Sequence, residues 1–210
     1  MKKEDLFRGF IAIEIPEQIR SRLHRFQIRL QKQSVKASWV RPENIHVTLV
    51  FLGEVSPRRI DLFPGILDAS AVELTPFTFA VSGLGIFGSP RNPRVVWAGI
   101  PDPPNELMSL QKAIQDRLIR AGFEGIKQTF HPHLTLGRIR GRHQGVQLTS
   151  AIVSAKNSDF GTVPVRCVLL VQSYLEAGGV RYAVIHESRL KGTLRHGNQN
   201  ESPSSSGGKR

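Results

Sequence analysis

The chain has 210 residues, 40% of them hydrophobic, and a formal net charge of +12, of which residues 191–210 contribute only +3 and the other 190 carry +9. That length is enough for one sizeable core, and no apolar run approaches the ~18 residues of a membrane span, so a helical membrane protein is excluded and a soluble, cytoplasmic one is expected. The single cysteine, Cys167, excludes an internal disulfide, and the positive excess raises the local concentration of phosphate-bearing partners.

In chain order, Lys2, Lys3, Glu4 and Asp5 precede a short apolar stretch that does not have the form of an export signal. Residues 7–15 (FRGFIAIEI) read as a strand ending at Pro16, followed by a helix in which Ile19, Leu23, Phe26 and Leu30 recur at three- and four-residue steps. A strand carrying His46-Val47-Thr48-Leu49 comes next. Ile60, Phe63 and Leu67 predict a further helix that Pro64 should interrupt or kink, and residues 76–81 predict a strand. Residues 94–100 (RVVWAGI) form a strand ending at Pro101, and Leu107, Leu110, Ile114, Leu118 and Ala121 mark a helix stopped by Gly122. The next strand carries His133-Leu134-Thr135-Leu136. Residues 163–171 and 180–185 predict two more strands joined by a turn at Gly178-Gly179, with Cys167 a buried, inert thiol.

Strand, helix and His-x-Thr strand therefore occur twice, with 30 residues from Pro16 to His46 and 32 from Pro101 to His133. The duplication predicts an α+β domain over residues 1–195 with two pseudo-symmetric lobes. The last stretch, residues 196–210, reads HGNQNESPSSSGGKR, offers nothing large and apolar to bury, and is expected to be a disordered tail.

On a strand, residues i and i+2 share a face, so His46 stands beside Thr48 and His133 beside Thr135. If the lobes face each other, two imidazoles and two hydroxyls converge. Histidine gives and takes a proton near neutral pH, and threonine hydroxyls donate to non-bridging phosphate oxygens, so the set suits metal-free phosphate chemistry. A lone histidine in an apolar strand is ordinarily a packed core residue. Duplication weighs against that, because nothing structural requires a polar pair at both interior sites. Zinc is the rival reading, since His131 and His133 lie two apart, but no HExxH or acidic cluster completes a ligand set. A serine or cysteine nucleophile is poorly supported, as no Gly-x-Ser-x-Gly elbow is present.

Several segments carry a family likeness: Phe10-Ile11-Ala12-Ile13, residues 39–49 (WVRPENIHVTL), Phe51-Leu52-Gly53-Glu54, residues 93–99 (PRVVWAG), residues 130–138 (FHPHLTLGR) and Tyr174-Leu175-Glu176. Over residues 7–190 the chain resembles the bacterial and archaeal RNA 2′,3′-cyclic phosphodiesterases, formerly called 2′-5′ RNA ligases, of the 2H phosphoesterase superfamily. The resemblance implies a bilobal fold with sheets facing a central cleft and helices outside, no metal or other cofactor, and hydrolysis of cyclic phosphate ends on RNA to 2′-phosphomonoesters; a monomer is expected. It implies His46 as proton donor to the leaving 3′ oxygen, His133 as base for water, and Thr48 and Thr135 as phosphate ligands. It also places Arg138 near the phosphate and Phe51 where a base can stack. Strict alternation opposes both, since each lies an odd number of positions from its histidine, so each needs a bulge or a strand end to face the cleft; Gly137 would permit one. Trp39 lines the cleft or caps a core. Reversible ligation or hydrolysis of 2′-5′ linkages, and a non-catalytic RNA-binding module, are the alternatives.

Overall fold

A computed structural model describes residues 6–33, 35–126, 129–140, 145–177 and 179–192. The proposed tail, residues 196–210, lies outside the described residues. Both predicted repeats are present. The first runs β1 (Phe7–Glu14), α1 (Glu17–Lys32), β2 (Ala37–Trp39) and β3 (His46–Val55). After α2 (Leu62–Ala71) and β4 (Phe77–Ser89), the second runs β5 (Asn92–Gly99), α3 (Asn105–Arg120) and β6 (His133–Ile139). The chain continues through α4 (Gly145–Ser154), β7 (Asp159–Val165), β8 (Cys167–Glu176) and β9 (Gly179–Arg189).

The helices form where the apolar spacing says they should. α1 buries Ile19, Leu23, Phe26 and Leu30, and α3 buries Leu107, Leu110, Ile114 and Leu118. A proline in extended backbone precedes each, Pro16 and Pro104, and Gly122, at φ +75°, follows the end of α3 with a left-handed turn that a side chain would resist. Pro64 does not kink α2. It occupies the first turn, where a helix leaves its N–H groups unpaired and the missing donor costs nothing.

The strands form one antiparallel sheet in the order β7-β4-β5-β6-β3-β1-β8-β9, with β2 added beside β6. Between β6 and β3 the only pairing is Val47 with Leu134. The two facing sheets that the family resemblance implies are two halves of a single sheet, joined where the two His-x-Thr strands touch. Helix-side residues such as Ile11, Ile13, Val47, Leu134 and Leu136 enter one continuous core, whereas Phe10, Ala12, Leu169 and Val171 form a separate cluster on the other face.

One expected element is corrected. The apolar run 163–171 is not one strand but two, broken at Arg166, with β7 pairing β4 at one edge and β8 pairing β1 in the other half. An apolar run reports burial and carries no information on which neighbour a strand takes. The strand begun at 76–81 extends to Ser89, and neither the short β2 nor α4 was marked by periodicity.

The turn after β3 is clamped to α3. Arg59 donates to the carbonyls of Ala121 at 2.7 Å and Gly122 at 3.2 Å, and its guanidinium lies 3.8 Å above the Phe123 ring. A cation on the C-terminal carbonyls of a helix, with an aromatic face beneath it, contributes ~1–2 kcal/mol. Arg59→Ala should lower urea-unfolding stability by about that amount and leave kcat unchanged; unchanged stability would show that the clamp contributes nothing.

Candidate active site

In β3, His46 and Thr48 share one face while Val47 is fully buried on the other. The alternation then breaks. Ala12 pairs with Thr48 but Ile11 pairs with Val50, so Leu49 is an extra residue, and Leu49 and Val50 are both buried. Phe51, 52% exposed, is returned to the face of His46 and Thr48. β6 repeats the device. Trp97 pairs with Thr135 but Val96 pairs with Gly137, so Leu136 is extra and Arg138 joins the face of His133 and Thr135. A bulge at the same leucine of each His-x-Thr-Leu thus gives Phe51 and Arg138 the orientation that strict alternation denied them, at equivalent places in the two repeats.

The two imidazoles are held alike. His46 Nδ1–H donates to the Asn44 carbonyl at 2.7 Å and His133 Nδ1–H to the His131 carbonyl at 2.6 Å, which fixes the tautomer and leaves each Nε2 unprotonated. At His46 the Thr48 hydroxyl donates to Nε2 at 2.9 Å. Their surroundings are aromatic. Phe10 stacks on His46 at 4.5 Å between centroids and Tyr182 meets it edge-on at 5.5 Å; Phe87 meets His133 edge-on at 4.8 Å, with Trp97 at 6.3 Å. Burial pushes the His46 pKa down to about 4, opposed by the Asn44 hydrogen bond and reinforced by the charge of His133. Burial also lowers His133, against the His131 carbonyl and with the charges of His131 and Arg138. The positive charge of Arg138 acts on His133 and also on Tyr182, where it opposes the rise that burial causes.

A cavity of about 220 Å³ opens on the His133 side, lined by Thr48, Phe51, Phe87, Phe130, His131 and His133. Another of about 230 Å³ opens beside His46, where Phe10, Asn44, Leu169, Tyr182 and Val184 form its wall. His131 therefore stands at the cleft edge and supplies a carbonyl. Among the described residues no three His, Cys, Asp or Glu side chains gather as a metal site. Trp39 packs across Gly137, where an added Cβ would lie 2.9 Å from its ring, and belongs to the core side. Cys167 is partly exposed rather than buried, and its thiol pKa is raised by burial and by Glu187 and Glu14, which keeps it protonated and unreactive. The aromatic surround of Phe10, Phe87, Trp97 and Tyr182 was not singled out from sequence. Phe10 carried a usable signal, because alternation along β1 sets it opposite the core-facing Ile11.

Two histidine–threonine pairs on adjoining strands of one α+β sheet define a two-histidine phosphoesterase arrangement. Comparison with known proteins agrees. A family model described as LigT like Phosphoesterase matches residues 13–97. The RNA 2′,3′-cyclic phosphodiesterase of Methanothermobacter thermautotrophicus is 30% identical over 183 residues, covering 87% of this chain and 98% of that protein. The protein of the same name from Archaeoglobus fulgidus is 34% identical over 176 residues, covering 83% and 96%. The crystal structure of E. coli LigT complexed with 3′-AMP superposes with a TM-score of 0.70 at 25% identity, covering 88% of this chain and 98% of that one. The chain belongs to the LigT-like phosphoesterase family of the 2H superfamily, and its activity is that of a hydrolase acting on phosphodiester bonds. Among the described residues no helix is long and apolar enough to cross a membrane.

Proposed function

We propose that this phosphoesterase opens RNA 2′,3′-cyclic phosphate ends to 2′-phosphomonoesters without a metal, as a cytoplasmic monomer. The observation that carries the reading is the matched pair of imidazoles, each with Nδ1–H bound to a backbone carbonyl, which leaves Nε2 of each ring as the atom that takes or gives a proton. His133 acts in its neutral form and His46 as the imidazolium that the charge of a bound phosphate favours. His133 Nε2 takes a proton from water, the water oxygen attacks phosphorus, and the P–O3′ bond breaks as protonated His46 Nε2 gives its proton to O3′. Thr48, Thr135 and Arg138 hold the non-bridging oxygens, Arg138 by charge-assisted hydrogen bonds, and Phe51 offers an exposed ring for a base to stack upon. The names of the relatives and the positive charge of the chain support an RNA substrate.

The cavity beside His46 also supports action on a 2′-5′ linkage, which has a nucleoside on each side of the phosphate. Simple RNA binding is disfavoured, because it would not call for two matched imidazoles among aromatic rings. The test is incubation with 2′,3′-cyclic AMP in excess EDTA. Undiminished turnover to the 2′-phosphate is expected; loss on chelation with rescue by zinc would overturn the metal-free reading, and tight RNA binding without turnover would leave a binding module.

A further inference from the structure

The buried face of α1 is apolar except for Gln27, which is 1% exposed. A leucine or methionine would fill that place without a desolvation cost, so the amide needs partners to be tolerated. It has them. Its Nε2 donates to the carbonyls of Val40 and Leu136, both at 2.8 Å, and its Oε1 faces His24 Nδ1 at 3.1 Å. Both N–H donors and the oxygen of the side chain are used, and the two carbonyls, which can only accept, settle which way the amide is turned, so that His24 Nδ1–H is the donor to Oε1.

The two carbonyls are not arbitrary. Leu136 is the extra residue of the β6 bulge, and there β6 also changes partner, from β3 at Leu134 to β2 at Gly137. Val40 follows β2 and donates its own N–H to the Leu136 carbonyl at 2.9 Å. The second repeat keeps a glutamine at the matching place, eleven residues beyond Pro104 as Gln27 is beyond Pro16, and Gln115 Nε2 donates to the Ile126 carbonyl at 2.6 Å. In both repeats a helix side chain reaches the backbone of the segment leading to, or flanking, a motif strand.

We propose that Gln27 is a positioning residue for Arg138: it pins the Leu136 peptide in the bulge, and the bulge keeps the guanidinium on the cleft face. Without the clamp the strand can return to regular register with β5, which moves the residues after Leu136 by one position and turns Arg138 off that face. The inference rests on the reading of Arg138 as a phosphate ligand and goes beyond it by assigning a remote, buried residue to the site.

Gln27→Met keeps the side-chain length and removes the clamp. A double-mutant cycle with Arg138→Ala, scored as kcat/KM on 2′,3′-cyclic AMP, separates positioning from plain stability. Gln27→Met should cost roughly tenfold in the parent and less than about twofold in the Arg138→Ala background, while the melting temperature falls equally in both. An equal loss in both backgrounds, or none in the parent, overturns the proposal. Should Gln27→Met fail to fold, His24→Ala loosens the same amide from a partly exposed position; a loss of a few-fold in the parent and none beside Arg138→Ala is expected, and an additive loss counts against the proposal. If Arg138→Ala alone turns over at the parent rate, the phosphate role of Arg138 has failed. The positioning claim then stands or falls on a crystal structure of Gln27→Met or, if that variant does not fold, of His24→Ala: the claim survives if the Leu136 bulge is lost and falls if the bulge is retained.

Discussion

His46→Ala and His133→Ala should each lower kcat on 2′,3′-cyclic AMP by roughly 10²- to 10⁴-fold, the usual contribution of a positioned general acid or base. The equal expectation for the two follows from their equivalent settings, with Nδ1 fixed by a backbone carbonyl at 2.7 Å and 2.6 Å so that neither ring is free to turn its Nε2 away. The double variant should be little worse than either single one, since an acid without its base leaves the same uncatalysed proton transfer. Thr48→Ala and Thr135→Ala remove one hydrogen bond to phosphate each and should retain more activity. The alanine at position 46 also opens space between Phe10 and Tyr182, so circular dichroism and melting must show each variant folded. Normal folding with parental turnover in either histidine variant would refute the paired acid–base reading.

How much of this could be read from the chain depends on whether the information is local. The helix faces and the two His-x-Thr pairs are local, set by periodicities of 3.6 and 2 within a few residues, and they stand where the periodicities put them. The bulges are not local. Leu49 and Leu136 become extra residues only against the registers of β1 and β5, so parity alone assigned Phe51 and Arg138 to the wrong face. The same limit explains the run 163–171, whose two parts are equally apolar yet join opposite halves of the sheet. It also explains Tyr182, which reaches His46 from β9 because β1, β8 and β9 are neighbours in space and not in sequence. Gln27 gave a faint signal as the one polar residue on a buried helix stripe, but its two carbonyl partners lie 13 and 109 positions away.

The pH profile should show kcat/KM peaking below pH 6.5, with kcat peaking at a higher pH. Both imidazoles are lowered in the free protein, His46 to about 4, so at pH 7 only about a thousandth of free molecules carry the proton that a general acid must give. Because kcat/KM reports the free enzyme, it should fall as pH rises above the lowered values, with both limbs belonging to the coupled pair. A bound phosphate diester brings a negative charge to Nε2, favours the imidazolium and raises the values that govern kcat, so substrate binding takes up a proton. The same burial links to stability with a definite sign. A histidine kept neutral in the fold binds its proton more readily when unfolded, so its contribution is complete above the unfolded value of about 6.5 and is lost as pH falls toward 4. The full difference is ~3 kcal/mol as an order of magnitude. His46→Gln should therefore unfold in urea with a shallower loss of stability between pH 7 and pH 4 than the parent. A kcat/KM profile that peaks at or above about pH 6.5, together with parallel stability curves for the parent and His46→Gln, would show that His46 titrates normally and that its burial does not govern its chemistry.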